Sequence, residues 1–146
     1  MNMHGLLSNL EGRWLKAAVA SASNTNDRSA IIDMADYESA LFVTSIETAT
    51  ATGVATLKVE QNDASQDVGM SAVADALATR ASIANGDLNG KLLLVEVRNP
   101  AKRYLQAVRT SAAANIAFGS VTVFLRPRRF PVEQGDTVAA SAFVSD

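Results

Sequence analysis

The chain contains no cysteine, a single histidine and few aromatic side chains. Without cysteine it can form neither a disulfide framework nor a zinc–thiolate site, and it has no thiol nucleophile. The one histidine, His4, stands close to the N-terminus, where a catalytic base is hard to hold in position. No serine lies in a Gly-x-Ser-x-Gly motif, and no glycine-rich loop carries the lysine that binds phosphate. We therefore expect a protein that is not an enzyme and that has no cofactor.

Long apolar runs are absent as well. No stretch approaches the roughly 20 apolar residues that a transmembrane helix needs, and the first residues lack the charged start and apolar run of a signal peptide. We expect a soluble protein that is made in the cytosol. Two acidic groups, Asp33 with Asp36 and Glu38, and Asp63 with Asp67, lack the spacing of an EF-hand loop. We interpret them as turn and surface residues and predict no metal site.

Alanine and valine dominate the apolar residues, which make up 48% of the chain, while 19% of the residues are charged. A chain of 146 residues with this composition is long enough for one globular domain with a hydrophobic core. Because small side chains bury little area each, the core is thin and gains from burying strand edges against a neighbour. We therefore expect a homo-oligomer, either a dimer or a trimer.

Short runs of alternating or β-branched residues recur along the chain and are separated by turn residues. Seven or eight such strands, with turns every 8–12 residues or so, predict an all-β fold: an antiparallel β-sandwich or a jelly-roll-like barrel. Strands are predicted at residues 39–48, 53–61, 91–97, 103–110 and 118–125. Residues 14–20 are interpreted as a further strand, with a short helix as the alternative.

Three connections carry predictions of their own. Residues 21–27 are polar and predict a loop, and the threonine-rich residues 48–52 predict a hairpin between the strands that flank them. Residues 70–83 fit two structures. The spacing of apolar residues such as Val73 and Leu77 suits a helix, whereas the threonine and serine content lowers helix propensity and favours a loop with a weak strand.

Both ends of the chain are predicted to be arms on a β-sandwich domain of residues 14–130. The N-terminal arm comprises residues 1–13 and the C-terminal arm residues 131–146, of which residues 139–144 are able to pair at a sheet edge. Trp14 and the leucines near it are interpreted as core, or as an N-terminal segment folded over the sandwich. An arm exchanged with a neighbouring subunit is the alternative.

Positive charge concentrates in residues 91–130, which hold eight of the 13 lysines and arginines but one acid, Glu96. The segment therefore carries +7 in a chain whose net charge is −2. Such a separation indicates a surface arranged for a partner. The eight cations are Lys91, Arg98, Lys102, Arg103, Arg109, Arg126, Arg128 and Arg129.

Three interpretations of this basic segment stand side by side. The cations can keep strand ends soluble and discourage edge pairing, neutralise nucleic-acid phosphates, or pair with carboxylates on an acidic protein surface. A sequence pI near 5.4 and only two interleaved aromatic residues speak against nucleic acid. We predict protein-interaction residues as follows: Arg98, Lys102, Arg103, Tyr104, Arg126, Arg128, Arg129 and Phe130.

Four segments follow one another in an order that resembles a known family. They are Asp-Met-Ala-Asp-Tyr-Glu-Ser-Ala-Leu-Phe-Val at 33–43, Gly-Val-Ala-Thr-Leu-Lys-Val-Glu-Gln-Asn-Asp at 53–63, Leu-Leu-Leu-Val-Glu-Val-Arg-Asn-Pro-Ala-Lys-Arg-Tyr-Leu at 92–105 and Arg-Pro-Arg-Arg-Phe-Pro at 126–131. This succession resembles small virion structural proteins of tailed bacteriophages, of the kind encoded beside the major capsid protein. None of the segments is a catalytic signature.

The resemblance implies a head decoration or cement protein with a β-sandwich or jelly-roll fold, made in the host cytoplasm and located on the capsid surface. Its partner is then the major capsid protein, whose neighbouring subunits it bridges. No nucleic-acid or membrane partner is expected. Two alternatives remain: a low-copy head–tail joining or tail component, and a carbohydrate-binding β-sandwich module. The second normally exposes more aromatic residues than one Trp and two Tyr provide.

Overall fold

The computed structural model describes residues 5–145, so His4 lies outside the described part of the chain. Nine strands form two antiparallel sheets that pack as a sandwich, and the described residues contain no helix. The strands are β1 Glu11–Lys16, β2 Val19–Ala22, β3 Asn26–Asp33, β4 Tyr37–Ala49, β5 Val54–Asn62, β6 Ser71–Ala81, β7 Lys91–Arg98, β8 Tyr104–Ala112 and β9 Ile116–Pro127. The predicted all-β fold class is confirmed.

The order of the strands is that of a jelly roll. Sheet 1 has the order β1-β9-β4-β7, with β2 also paired to β9, and sheet 2 has the order β3-β8-β5-β6. The chain passes from one sheet to the other at almost every connection, with the step from β5 to β6 inside sheet 2 as an exception. Strands that are distant in sequence therefore lie side by side, and their ends bring distant loops together.

The core lies between the sheets and is built by strand alternation. In β5, Ala55, Leu57 and Val59 are fully buried, whereas Thr56 and Lys58 on the opposite face are partly exposed. This is the division of faces that the alternation in residues 53–61 predicts. From sheet 1, aromatic and branched side chains of β4 and β9 fill the space opposite.

The predicted hairpin at residues 48–52 is wrong. β4 lies in sheet 1 and β5 lies in sheet 2, so the connection crosses between the sheets instead of pairing its flanking strands. Its backbone bonds to other loops: the Thr50 amide donates to the Asn115 carbonyl and the Thr52 amide to the Ser82 carbonyl, both at 2.9 Å. Alternation in a strand identifies its buried face but not its partner, which is why the sequence favours the wrong pairing.

Residues 70–83 form a strand, β6, and not a helix. The strand pairs along β5, where the Thr56 and Thr79 hydroxyl oxygens lie 2.8 Å apart. It is irregular, because Asp75 has a φ of +62° and the register shifts between Lys58 and Glu60 of the partner strand. Alanine fits helix and strand alike, so the edge position on β5 decides the structure.

Two further predictions need correction near the N-terminus. The strand expected at residues 14–20 divides into β1 and β2, and the register with β9 shifts after Trp14. The loop expected at residues 21–27 is shorter, because β2 continues to Ala22 and β3 begins at Asn26.

Residues 128–145 contain no strand, so the edge pairing predicted for residues 139–144 is wrong. This segment instead lies alongside the N-terminal residues and β1. The Gln134 side chain accepts a hydrogen bond from the Gly12 amide at 2.8 Å and donates to the Leu10 carbonyl at 2.7 Å. The Thr137 hydroxyl oxygen accepts a hydrogen bond from the Trp14 amide at 3.2 Å. Side chains therefore satisfy the outer edge of β1 in place of a paired strand.

Candidate interaction surface at the basic end

Three connections meet at one end of the sandwich. The Asn99 amide donates to the Glu38 carbonyl at 2.8 Å, and the Arg128 amide donates to the Asp36 carbonyl at 2.9 Å. These bonds tie the β7–β8 loop and the segment after β9 to the turn between β3 and β4. We call this region the basic end, and it comprises residues 33–38, 98–104 and 126–130.

The basic end contains every residue predicted to contact a partner: Arg98, Lys102, Arg103, Tyr104, Arg126, Arg128, Arg129 and Phe130. Two other cations of the basic segment lie elsewhere. Lys91 begins β7 at the opposite end of the sandwich, and Arg109 is in the interior. The surface charge is therefore smaller than the sequence count of the segment implies.

Arg109 is a structural residue with 1% of its surface exposed. From β8 in sheet 2, its guanidinium donates to the Gly119 carbonyl of β9 in sheet 1 and pairs with Asp27. It also donates to the Ala17 carbonyl at 2.8 Å. A buried arginine that donates to two carbonyls and a carboxylate links the two sheets and is not available to a partner.

Arg103 and Asp33 form a two-pronged ion pair that links the β7–β8 loop to the end of β3. The Arg103 Nε and Nη2 atoms each lie 2.8 Å from a different carboxylate oxygen of Asp33. The hydrogen bond from Arg103 is the main cause that lowers the pKa of Asp33 to about 2, and desolvation by burial opposes it. The same pair raises the pKa of Arg103. Arg103 is thus held by the protein's own carboxylate.

Glu38 serves two of the other arginines. Its carboxylate lies 2.8 Å from Arg98 Nη2 and 4.0 Å from Arg126 Nε, so it bridges the end of β7 to the end of β9. Lys102 approaches Asp63 more loosely, with 3.9 Å between the Nζ and Oδ2 atoms. The ion pairs of the basic end are therefore graded, from the two-pronged pair of Arg103 to the distant contacts of Lys102 and Arg126.

The two predicted aromatic anchors are partly covered by arginines. The Arg103 guanidinium lies 5.2 Å from the centroid of the Tyr104 ring, and the Arg126 guanidinium lies 5.9 Å from that of Phe130. Both aromatic residues are half-buried. Their rings support the arginines through cation–π contacts and leave part of each edge at the surface.

Arg128 and Arg129 are both exposed, and neither forms an ion pair with a carboxylate in residues 5–145. They line a shallow hollow of about 440 Å³ with Asp36, Tyr37 and Pro127. Arg128 also borders a smaller hollow of about 180 Å³, on the side of the β7–β8 loop. Two unpaired guanidinium groups beside surface hollows are suited to receiving carboxylates from another molecule.

One contributor to this hollow is not evident from the sequence. The Tyr37 hydroxyl donates to Glu11 at 2.8 Å and accepts from Arg13 at 2.8 Å, which anchors the wall of the hollow to β1. Burial raises the pKa of Tyr37, and the hydrogen bond to Glu11 adds to the rise. Because Glu11 and Tyr37 are 26 positions apart in the chain, no local pattern connects them.

Within residues 5–145, no group of three or more His, Cys, Asp or Glu side chains is arranged to hold a metal ion. The same residues include no helix with the length and apolar character needed to cross a membrane. The basic end thus offers charge, hydrogen-bond donors and aromatic edges.

Comparison with known proteins gives structural neighbours but no family. No family model and no curated protein matches the sequence. A solved structure described as "CBM4 structure and function" is similar to this chain with a TM-score of 0.46 at 10% sequence identity, over 86% of this chain and 92% of that one. We draw no functional argument from a likeness at this level.

Proposed function

We propose that this protein is a structural virion component that binds the outside of a phage capsid and bridges neighbouring capsid subunits. The observation that carries the proposal is the pair Arg128 and Arg129, exposed at the basic end and without an ion pair in the described residues. The resemblance of residues 33–43, 53–63, 92–105 and 126–131 to small phage structural proteins supplies the partner, which is the major capsid protein.

In this proposal the cations of the basic end have two tasks. Arg98, Arg103 and Arg126 are engaged by Glu38 and Asp33, so they fix the loops. Arg128 and Arg129 remain for carboxylates of the capsid. Because the loops are held in place before contact, docking loses less conformational entropy than it would with mobile loops.

Pairing within the basic end favours an acidic protein over nucleic acid as the partner. Six cations share this end with the carboxylates of Asp33, Asp36 and Glu38, and Lys102 approaches Asp63. Those carboxylates repel the phosphates of a nucleic-acid strand. Two unpaired arginines close together suit individual side-chain carboxylates of a protein. Each contact between a basic end and a capsid subunit is weak. When two basic ends are joined, the repeating capsid lattice lets both bind at the same time, and this raises the overall affinity.

The test is binding of the purified protein to capsids that lack it. Arg128→Glu/Arg129→Glu reverses both free charges, and we expect it to lower the occupancy of capsids at least tenfold without changing the unfolding midpoint. The matched control is Lys16→Glu/Arg80→Glu, which makes the same charge change at exposed positions outside the basic end and should retain binding. If Arg128→Glu/Arg129→Glu binds as the unchanged protein does, the basic end is not the docking surface.

A further inference from the structure

The two sheets have four edges within residues 5–145, and features that block pairing lie on three of them. An exposed strand edge presents unpaired amides and carbonyls to any other strand, and natural proteins usually block it. Sheet 1 ends at β7 on one side and at β1 and β2, which both pair with β9, on the other, and sheet 2 ends at β3 and β6. The four edges differ in how they are protected against pairing with another strand.

The edge of β1 is blocked by the C-terminal segment. Gln134 and Thr137 accept hydrogen bonds from the amides of Gly12 and Trp14, so these donors are already used. Another strand cannot pair here until the C-terminal segment has moved.

Both edges of sheet 2 are irregular. β6 has a left-handed residue at Asp75 and a register shift against β5. β3 has a register shift against β8 between Arg28 and Ile31, and Lys16 bonds to the Arg28 carbonyl at 3.3 Å. Bulges and charged side chains of this kind disrupt the regular ladder that edge-to-edge pairing needs.

β7 has neither a bulge nor a covering segment in the described structure. It pairs with β4 through eight consecutive residues without a register shift. Beyond that ladder, residues 92–98 make no other backbone hydrogen bond within the described part of the chain. Leu92 and Leu94 point outward and are 60% and 52% exposed. Its charged residues lie toward the ends, so residues 92–95 form a regular apolar edge.

We propose that β7 is the contact between two copies of this chain, paired antiparallel about a twofold axis. The docking partner is a second copy because an antiparallel edge strand is complementary to itself under a twofold rotation. The contact places two basic ends in one dimer and involves neither Arg128 nor Arg129. It is independent of what the basic end binds.

Charge distribution selects the register. Directly opposite residues of antiparallel strands share a face, so the outer faces of two copies stay together only when the axis lies beside a residue and not between two residues. Of these registers, the axes beside Leu94 and beside Val95 give the longest overlap, with seven of the eight residues of β7 paired. An axis beside Val95 places the two Glu96 carboxylates diagonally, about 7–8 Å apart, where they repel. An axis beside Leu94 separates them by about 13 Å along the strands and gathers Leu92 and Leu94 of both copies into one cluster.

The side wall available for the contact is smaller in projection than a standard interface, so we expect a dimer of modest affinity. An eight-residue strand is about 26 Å long, and β6 lies beside β7 on the same side of the sandwich. With sheets about 10 Å apart and side chains on both faces, this side wall covers on the order of 500 Å² in projection. A standard interface buries about 800 Å² of accessible surface per partner.

The first test is sedimentation of the purified chain across micromolar concentrations. We expect a dimer of the 15.4 kDa chain, and we expect Leu92→Glu/Leu94→Glu to weaken it on the order of 100-fold, because the two substituted positions 94 then face each other and position 92 faces Glu96 of the other copy, all with negative charge. Val68→Glu/Val144→Glu makes the same change at two exposed valines outside β7 and should leave the dimer intact. A monomeric unchanged protein, or a dimer that persists in the β7 variant, overturns the proposal.

The register has its own test because the chain has no cysteine of its own. With the axis beside Leu94, the two Leu94 α-carbons are about 4.5–5.5 Å apart, a distance that a disulfide spans. Under mild oxidation, Leu94→Cys should form a covalent dimer, whereas Leu92→Cys, with about 13 Å between its copies, should not. Cross-linking by Leu92→Cys with none by Leu94→Cys overturns the register.

Discussion

Arg109 and Arg129 show how one residue type serves two purposes in this molecule. Arg109 is buried between the sheets and donates hydrogen bonds to the Gly119 and Ala17 carbonyls and to the Asp27 carboxylate. Arg129 is exposed beside a hollow and pairs with no carboxylate in residues 5–145. Arg103 stands between them, at the surface but held by Asp33. The comparison teaches that charge in the sequence becomes a binding surface only where the fold leaves it unpaired.

The largest effect is expected on removal of the buried cation. Arg109→Met keeps much of the volume but leaves the Gly119 and Ala17 carbonyls and the Asp27 carboxylate without their donor. Breaking one side of a buried pair costs about 3–5 kcal/mol, and we expect the free energy of unfolding in urea to fall by about 3 kcal/mol. Arg109→Lys keeps the charge but loses the planar guanidinium group. Its free energy of unfolding should lie between those of the unchanged protein and of Arg109→Met. A loss below about 1 kcal/mol would mean that Arg109 does not link the sheets.

An intermediate effect is expected for the surface pair of Arg103 and Asp33. Arg103→Gln removes the main cause of the lowered pKa, so the pKa of Asp33 should rise from about 2 toward 3.8. Carboxyl chemical shifts followed by NMR during an acid titration measure this directly. Arg98→Gln is the matched control, since Arg98 pairs with Glu38 and should leave the Asp33 titration in place. An unchanged Asp33 pKa in Arg103→Gln would contradict the pairing.

The same pair sets an acid limit on stability. The folded-state pKa of Asp33 is depressed, so its contribution is present above the unfolded value of 3.8 and is lost as the pH falls through about 2. The difference in urea midpoint between the unchanged protein and Asp33→Asn should therefore be constant above 3.8 and shrink below it. A difference that grows toward low pH would reverse the assigned sign.

The smallest effect on stability is expected for the free arginines. Arg129→Ala removes no ion pair of the described structure, and surface changes of this kind usually alter the free energy of unfolding by less than about 0.5 kcal/mol. Thermal unfolding should give the same midpoint as the unchanged protein. A clear destabilisation would show that Arg129 has a structural task and would weaken its contrast with Arg109.

Much of the fold is predictable from alternation. The alternation in residues 53–61 places Ala55, Leu57 and Val59 on one face, and that face is buried, because a half-buried strand needs apolar residues at every second position. Partners are less predictable, since residues 48–52 look like a hairpin although they cross between sheets. The pairing is decided by contacts between strands that are far apart in sequence.

The candidate surface is predictable in part. Positions 98–104 and 126–130 meet because antiparallel strands end together, which brings the predicted cations to one end. Arg109 carries a signal that the charge count overlooks: in β8 it alternates with Leu105 and Ala107 on the inner face. The pairing of Arg103 with Asp33 carries no such signal, because it depends on the meeting of two loops.

The measurement that tests the proposed capsid role most directly is the number of copies of this protein in purified virus particles, by quantitative mass spectrometry against the major capsid protein. The account predicts a ratio near one per capsid subunit, or a simple fraction of it, because a bridging protein repeats with the lattice. A few copies per particle would place the protein at the portal or tail. Absence from particles would contradict the virion role altogether.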